Sequence, residues 1–426
     1  MSAGCVSVAD FAHDDPGLAE GPGVFAGDFL AVSDADMAAT AYADGQLEPF
    51  EDAIDMLTLF EGGERAGGIP ASNSVISWPQ VVDVTPDGRF AVVVETRGQA
   101  PEGLRTYDNV YTDFPEGEAV TVLAVEAGSL RVTDTQTGLG DNLQSVDIAP
   151  NGLMVIATET PGAELVTARL DTGGKLVDVR THDLQPPYRD DDAEQRVRTI
   201  HISPDGRTLA ANIANRRIQF YRIGDDGLVA ALGEASEDLG RRLAVGKWTP
   251  DGRFFIVTDT NWADGTLHML TQGPGTLTAL TVPTQDDATP DVVSKIAVGR
   301  SPEGFGMSPD GTRIATINME RTYLPQLPPL AAWPGRRQYS VSLVSIDPET
   351  GMMGELDRVY TSGILPEDVI FDETGENLAV AIFHRRKGPD RLRGFIDFYS
   401  IEGDTLVRQD TTQAIMRGAH DLVRLP

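Results

Sequence analysis

The sequence predicts an all-β fold, a seven-bladed β-propeller. Three observations carry this prediction. A short phrase, apolar run then Pro-Asp-Gly then apolar run, recurs along the 426 residues. Its copies lie about 46 to 64 residues apart, the spacing of radial β-repeats. The chain then ends on a strand that has the shape of the repeated first strand but stops where its turn should begin.

The phrase stands complete at Pro86-Asp87-Gly88, Pro204-Asp205-Gly206, Pro250-Asp251-Gly252 and Pro309-Asp310-Gly311. Pro150-Asn151-Gly152 is a near copy and Glu373-Thr374-Gly375 a worn one. Each reads as a hairpin, because Pro presets φ, Asp or Asn tolerates the turn, and Gly takes positive φ.

Stepping back six residues from each turn gives the starts of the first strands: Gln80, Gln144, Arg198, Ala244, Glu303 and Glu367. The terminal word Ala419-His420-Asp421-Leu422-Val423-Arg424-Leu425-Pro426 supplies a seventh start, His420. Its partners are expected at the N-terminal end, where 28–32, 37–42 and 53–60 are strand-like. The last blade is thus shared between N-terminal strands and the C-terminal strand, which leaves no free sheet edge at the seam. Residues 1–27 read as an N-terminal extension and 28–426 as one propeller domain. The Trp-Asp and Gly-His marks of WD40 blades are absent from their places.

The net charge of −31 argues against a nucleic-acid partner and against an acidic membrane surface. No apolar run approaches a membrane span. Cys5 is the single cysteine, so no internal disulfide or cysteine metal cluster forms. The first residues lack the basic and apolar regions of a signal peptide. The chain as written reads as cytoplasmic, and as periplasmic or secreted if a leader has been removed. A monomer or a simple homo-oligomer is expected.

The words Ser301-Pro302-Glu303-Gly304-Phe305-Gly306-Met307-Ser308-Pro309-Asp310-Gly311 and Leu365-Pro366-Glu367-Asp368-Val369-Ile370-Phe371 carry a resemblance to a known group. The chain resembles the bacterial seven-bladed propellers that include the YVTN-repeat proteins and the lactonases related to 6-phosphogluconolactonase. The resemblance runs from about residue 28 to 426. That group often has Pro-His where this chain has Pro-Glu. What the resemblance implies is the fold and, less directly, a lactonase-like activity.

Inner-strand starts converge on one mouth of a propeller's central channel, so Gln80, Gln144, Arg198, Glu303, Glu367 and His420 form a polar ring. Two carboxylates facing an Arg and a His can supply acid, base and anion clamp. Second strands return to the same face, where three connections are long: 97–117, 320–338 and 384–394. They concentrate Arg and aromatic residues, among them Tyr107, Tyr323, Arg337 and Arg385, against an acidic background, which suits capture of an anion.

The leading expectation is a small-molecule enzyme acting on an anionic, oxygen-rich substrate at this mouth, by lactonase-like hydrolysis. Glu303 or Glu367 would be general base and His420 or His384 would shuttle the proton. Arg198, Gln80, Gln144, Arg337, Arg385, Tyr107 and Tyr323 would bind substrate. A lyase or isomerase using the same ring, and a non-catalytic ligand- or protein-binding propeller, are the alternatives. No cofactor is required; Glu303, Glu367, Asp259 and Asn318 offer hard oxygens to a divalent cation such as Ca, Mg or Mn.

Overall fold

The computed structural model describes residues 18–35, 54–101, 110–224, 227, 229–262, 268, 271–324, 338–384 and 393–426. Seven sheets succeed one another along the chain, each with four antiparallel strands, and one of them carries a fifth, parallel strand at its edge. Blade 1 comprises Val82–Val84, Phe90–Val94, Val120–Glu126 and Ser129–Gln136. The inner strands of blades 2 to 6 are Ser145–Ile148, Val197–Ile202, Leu243–Trp248, Pro302–Met307 and Ile364–Phe371. Blade 7 takes its inner strand from Ala419–Arg424 and its remaining three from Asp28–Ser33, Met56–Glu61 and Glu64–Pro70. Leu30 pairs with Val423 and Ala31 with Leu422, so the ends of the chain close the ring as the sequence predicts. The segment 37–42, expected to be a strand, lies outside the described residues.

Blades pack face to face, which buries both faces of their inner strands. Every residue of Val197–Ile202 and of Phe254–Asp259 is buried. Outermost strands face water, and Leu176–His182 is buried only at Leu176 and partly at His182. Part of the predicted N-terminal extension is docked on the propeller. Ala19–Glu20 pairs in parallel with Thr411 and Thr412 on the outer strand of blade 6, and Phe25 packs edge-on against Phe29.

The repeated phrase builds more than hairpins. In each full copy the Asp side chain accepts the hydroxyl of a Ser or Thr two residues earlier, as in Thr85 to Asp87 and Thr249 to Asp251, both at 2.7 Å. The turn glycine is left-handed, φ +68° at Gly311 and +67° at Gly88. At Gly252 and Gly311 it also lies against the turn proline of the preceding blade. A Cβ at Gly311 would sit 3.0 Å from Pro250 Cδ, and one at Gly88 would meet Pro426 at 3.2 Å. Pro426 therefore fills, for blade 7, the place that turn prolines fill elsewhere.

Two faces follow from this topology. One carries the Pro-Asp-Gly turns. The other carries the starts of the inner strands and the second-to-third connections. Those connections are long in five blades, spanning 34–55, 95–119, 260–275, 319–337 and 385–392. The sequence reading had found three of them.

Candidate functional site

Glu303 and Glu367 open the inner strands of blades 5 and 6 on the loop-rich side. Each is 4% exposed. Their carboxyl groups are near enough to interact directly, an arrangement that two buried carboxylates hold only by sharing a proton. Burial pushes Glu303 up to about 8, opposed by its bond to Glu367 and by the nearby Arg242 guanidinium. Glu367 is pushed well above the usual carboxylate range, by burial first and then by the charge of Glu303. Near neutral pH the pair is one acid beside one base in waiting.

The other predicted residues do not gather around this pair. Arg198 is buried and bonds Glu159 Oε1 at 3.0 Å, as does Arg196. Gln144 donates to the same oxygen at 2.9 Å. These groups form a separate cluster between blades 2 and 3, where one carboxylate meets two guanidinium groups and Arg198 is ion-paired. Gln80 reaches across the channel to Ile200 O and His201 Nδ1, each at 2.9 Å. His420 is buried against Asn73 Oδ1 at 2.6 Å, and burial holds it near 3, so it is neutral at physiological pH. His384 is buried with its ring 6.0 Å from that of Phe383. Tyr107, Arg337 and Arg385 lie outside the described residues.

Tyr323 belongs to an aromatic row over the mouth of the channel. Its ring is 5.5 Å from Trp262, which is 6.2 Å from Trp78. Trp78 precedes the inner strand of blade 1, yet its indole N–H donates to Asn215 Oδ1, in the second-to-third connection of blade 3, at 3.0 Å. The row thus reaches from blade 1 to blades 3, 4 and 5.

The four oxygens considered for a divalent cation do not form a cage. Asp259 Oδ1 accepts the amides of Arg241, Arg242 and Asn261 at 3.2, 3.0 and 2.9 Å. Asn318 turns its amide to Ser340 and Ser342 within its own blade. Among the described residues, three acidic groups bring their oxygens together, the exposed Glu116, Glu118 and Asp141.

A second set of channel residues was missed. Three positions beyond the ring starts stand Asp83, Asp147, His201 and Lys247 on blades 1 to 4, and Asp368 and Asp421 follow Glu367 and His420 directly. The aspartates clasp neighbouring blades: Asp83 accepts from Ile148 N at 2.6 Å, and Asp368 from Leu422 N at 3.2 Å. Burial raises Asp147 and Asp368 to about 6, with the Lys247 charge pulling both down. The same alignment read three residues further finds the four residues of blades 1 to 4, and read one residue further finds Asp368 and Asp421.

No family model and no curated protein matches the sequence. Solved structures do resemble the fold. A periplasmic gluconolactonase of Pseudomonas aeruginosa shares 15% identity over 93% of this chain and 100% of its own, with a TM-score of 0.62. A Bacteroides fragilis protein provisionally named a 6-phosphogluconolactonase shares 16% over 94% and 98%, with a TM-score of 0.60. A functionally unknown protein of Desulfotomaculum acetoxidans shares 14% over 93% and 98%, with a TM-score of 0.59. This chain has their propeller fold. The fold is common to proteins with and without an assigned activity, so the argument for chemistry rests on the residues of this chain. Among the described residues of the loop-rich side, the Glu303–Glu367 pair is the arrangement able to take a proton at one oxygen and give one at another.

Proposed function

We propose that the protein is a small-molecule hydrolase that opens a lactone, or a related cyclic ester rich in oxygen, at the loop-rich mouth of the channel. The observation that carries this reading is the buried carboxyl pair Glu303–Glu367, on inner strands of adjacent blades and raised in pKa by burial. The shared fold with a protein named as a gluconolactonase supports it. Glu303, the more readily ionised of the two, acts as general base: its carboxylate takes a proton from water as the water oxygen bonds to the lactone carbonyl carbon. Glu367, the more firmly protonated, gives its proton to the ring oxygen as the acyl C–O bond breaks. The product is a hydroxy acid. Arg198 is ion-paired with Glu159, and an anionic substituent is left to Arg337 and Arg385.

The test is turnover of a lactone panel by the parent, Glu303→Gln and Glu367→Gln. Loss in both variants supports the pair as acid and base. Unchanged turnover in both removes it, and a parent that opens no lactone removes the hydrolase reading. A second reading, a propeller that binds without catalysis, is favoured by one observation: Trp78, Trp262 and Tyr323 lie across the mouth. It predicts binding without turnover.

A further inference from the structure

The channel has a second opening, on the face of the Pro-Asp-Gly turns, where a cavity of about 310 Å³ is lined by residues that include the turn prolines Pro150 and Pro204. That volume is at the small end of ligand cavities, sized for a single small molecule. Its polar lining includes Gln80, Asp83, Asp147, His201, Lys247 and Asp421, with Trp248 on its wall.

Two features of this lining set the chemistry of an occupant. First, groups inside it lack partners. Lys247 Nζ forms no ion pair or hydrogen bond with the described residues, although its charge reaches Asp147, Asp368, Asp421 and His201; it lies 5.8 Å from the Phe305 ring centroid. Gln80 Oε1 is buried without a hydrogen-bond partner. Second, the lining mixes signs. The aspartates present acceptor oxygens, each already fixed by a clasp to a backbone amide of the next blade. Lys247 presents three N–H donors. A free cation entering the cavity meets the ammonium, and a free anion meets the Asp147 carboxylate. A hydroxyl group donates and accepts at once and satisfies both.

We propose that this cavity binds a small neutral polyhydroxylated molecule, a sugar or cyclic polyol, with Lys247 and Asp147 both meeting its hydroxyl groups. The cavity opens among the Pro-Asp-Gly turns, away from the loop-rich mouth, and its occupant does not depend on the activity proposed there.

The experiment is isothermal titration calorimetry of the full chain with myo-inositol and glucose as neutral probes, glucosamine as the cationic probe and gluconate as the anionic one. The neutral probes are expected to bind, and the charged ones at least about tenfold more weakly. Lys247→Gln and Asp147→Asn, each checked by circular dichroism, should weaken neutral binding by about tenfold or more. If Asp147→Asn does not fold, Lys247→Gln alone decides. Absence of binding by both neutral probes overturns the proposal. So do tighter binding of a charged probe, and neutral binding that Lys247→Gln leaves unchanged. Calorimetry reads binding without turnover, so a failed lactone assay leaves this result standing.

Discussion

Asp421 Oδ2 accepts the backbone N–H groups of Val81 and Val82, at 2.6 and 3.1 Å. Asp421 is on the last strand of the chain and Val81 at the start of blade 1, so this carboxyl bridges the closed seam. It repeats the clasp made by Asp83 on Ile148 and by Asp147 on Ile202. Asp421→Ala leaves two buried amides without an acceptor. At about 1–3 kcal/mol for each orphaned group, the expected loss is about 2–6 kcal/mol. Asp421→Asn keeps an acceptor oxygen and should cost less than about 1 kcal/mol. Guanidinium denaturation separates the two. Equal losses would mean that charge, not the accepted hydrogen bonds, is what blade 7 contributes.

Stability should fall as pH rises above neutrality. Burial raises Glu303 from 4.5 to about 8, and raises Glu367, Asp83 and Asp421 well above the usual range. The native state therefore holds protons that the unfolded chain has released, and the slope of unfolding free energy against pH is negative. His201 and His420, held near 3 by burial, act in the opposite sense below their ordinary 6.5, because the unfolded chain then binds protons the native state refuses. The unmixed window opens above about 6.5 and runs through about 8. Urea titrations across it should show stability falling by up to about 1.4 kcal/mol per pH unit for each retained proton. Glu303→Gln should flatten the curve. A stability that rises across this window would contradict the proton-sharing pair.

The same pair sets an expected rate profile. A general base must be deprotonated, so kcat/KM for lactone opening should rise with pH and level off above about 8, after subtraction of uncatalysed hydrolysis. Glu303→Gln should lose this limb and fall by about 10²- to 10⁴-fold. A profile that levels off near the ordinary Glu value of 4.5 would show that the base is not a buried carboxyl of this pair.

The fold was legible because the turn phrase is local. Thr85, Pro86, Asp87 and Gly88 contact one another within a few residues, so their pattern survives in one dimension. Closure was legible for the same reason: the terminal word is a copy of a local pattern. The site was legible only in part. Alignment put Glu303 and Glu367 at equivalent places on adjacent blades, and they do meet. It put Arg198 on the same ring, but a guanidinium goes to the nearest carboxylate that shares its burial, here Glu159 from the neighbouring blade. Such choices depend on side-chain length and direction across the channel, which strand register does not encode. Trp78 was invisible for a related reason. It precedes the aligned position by two residues, and its partner Asn215 lies 137 residues away.

Trp78 supplies the last prediction. It is 6% exposed, belongs to the core that includes Ala244, Val245 and Phe305 of blades 4 and 5, and bonds Asn215 from blade 3. One side chain from blade 1 therefore ties together the opposite side of the ring. Truncation should cost about 3–5 kcal/mol, as expected for a buried aromatic. Trp78→Phe keeps most of the apolar contact but loses the indole N–H, leaving Asn215 Oδ1 without that donor, so an intermediate loss of about 1–3 kcal/mol is expected. Truncation should also uncover Trp262, whose ring lies 6.2 Å away, and raise its fluorescence quenching by acrylamide, a neutral quencher unaffected by the net charge of −31. If Trp78→Ala changes neither stability nor quenching, the aromatic row is not a closure of the channel mouth, and the loop-rich side opens directly onto the Glu303–Glu367 pair.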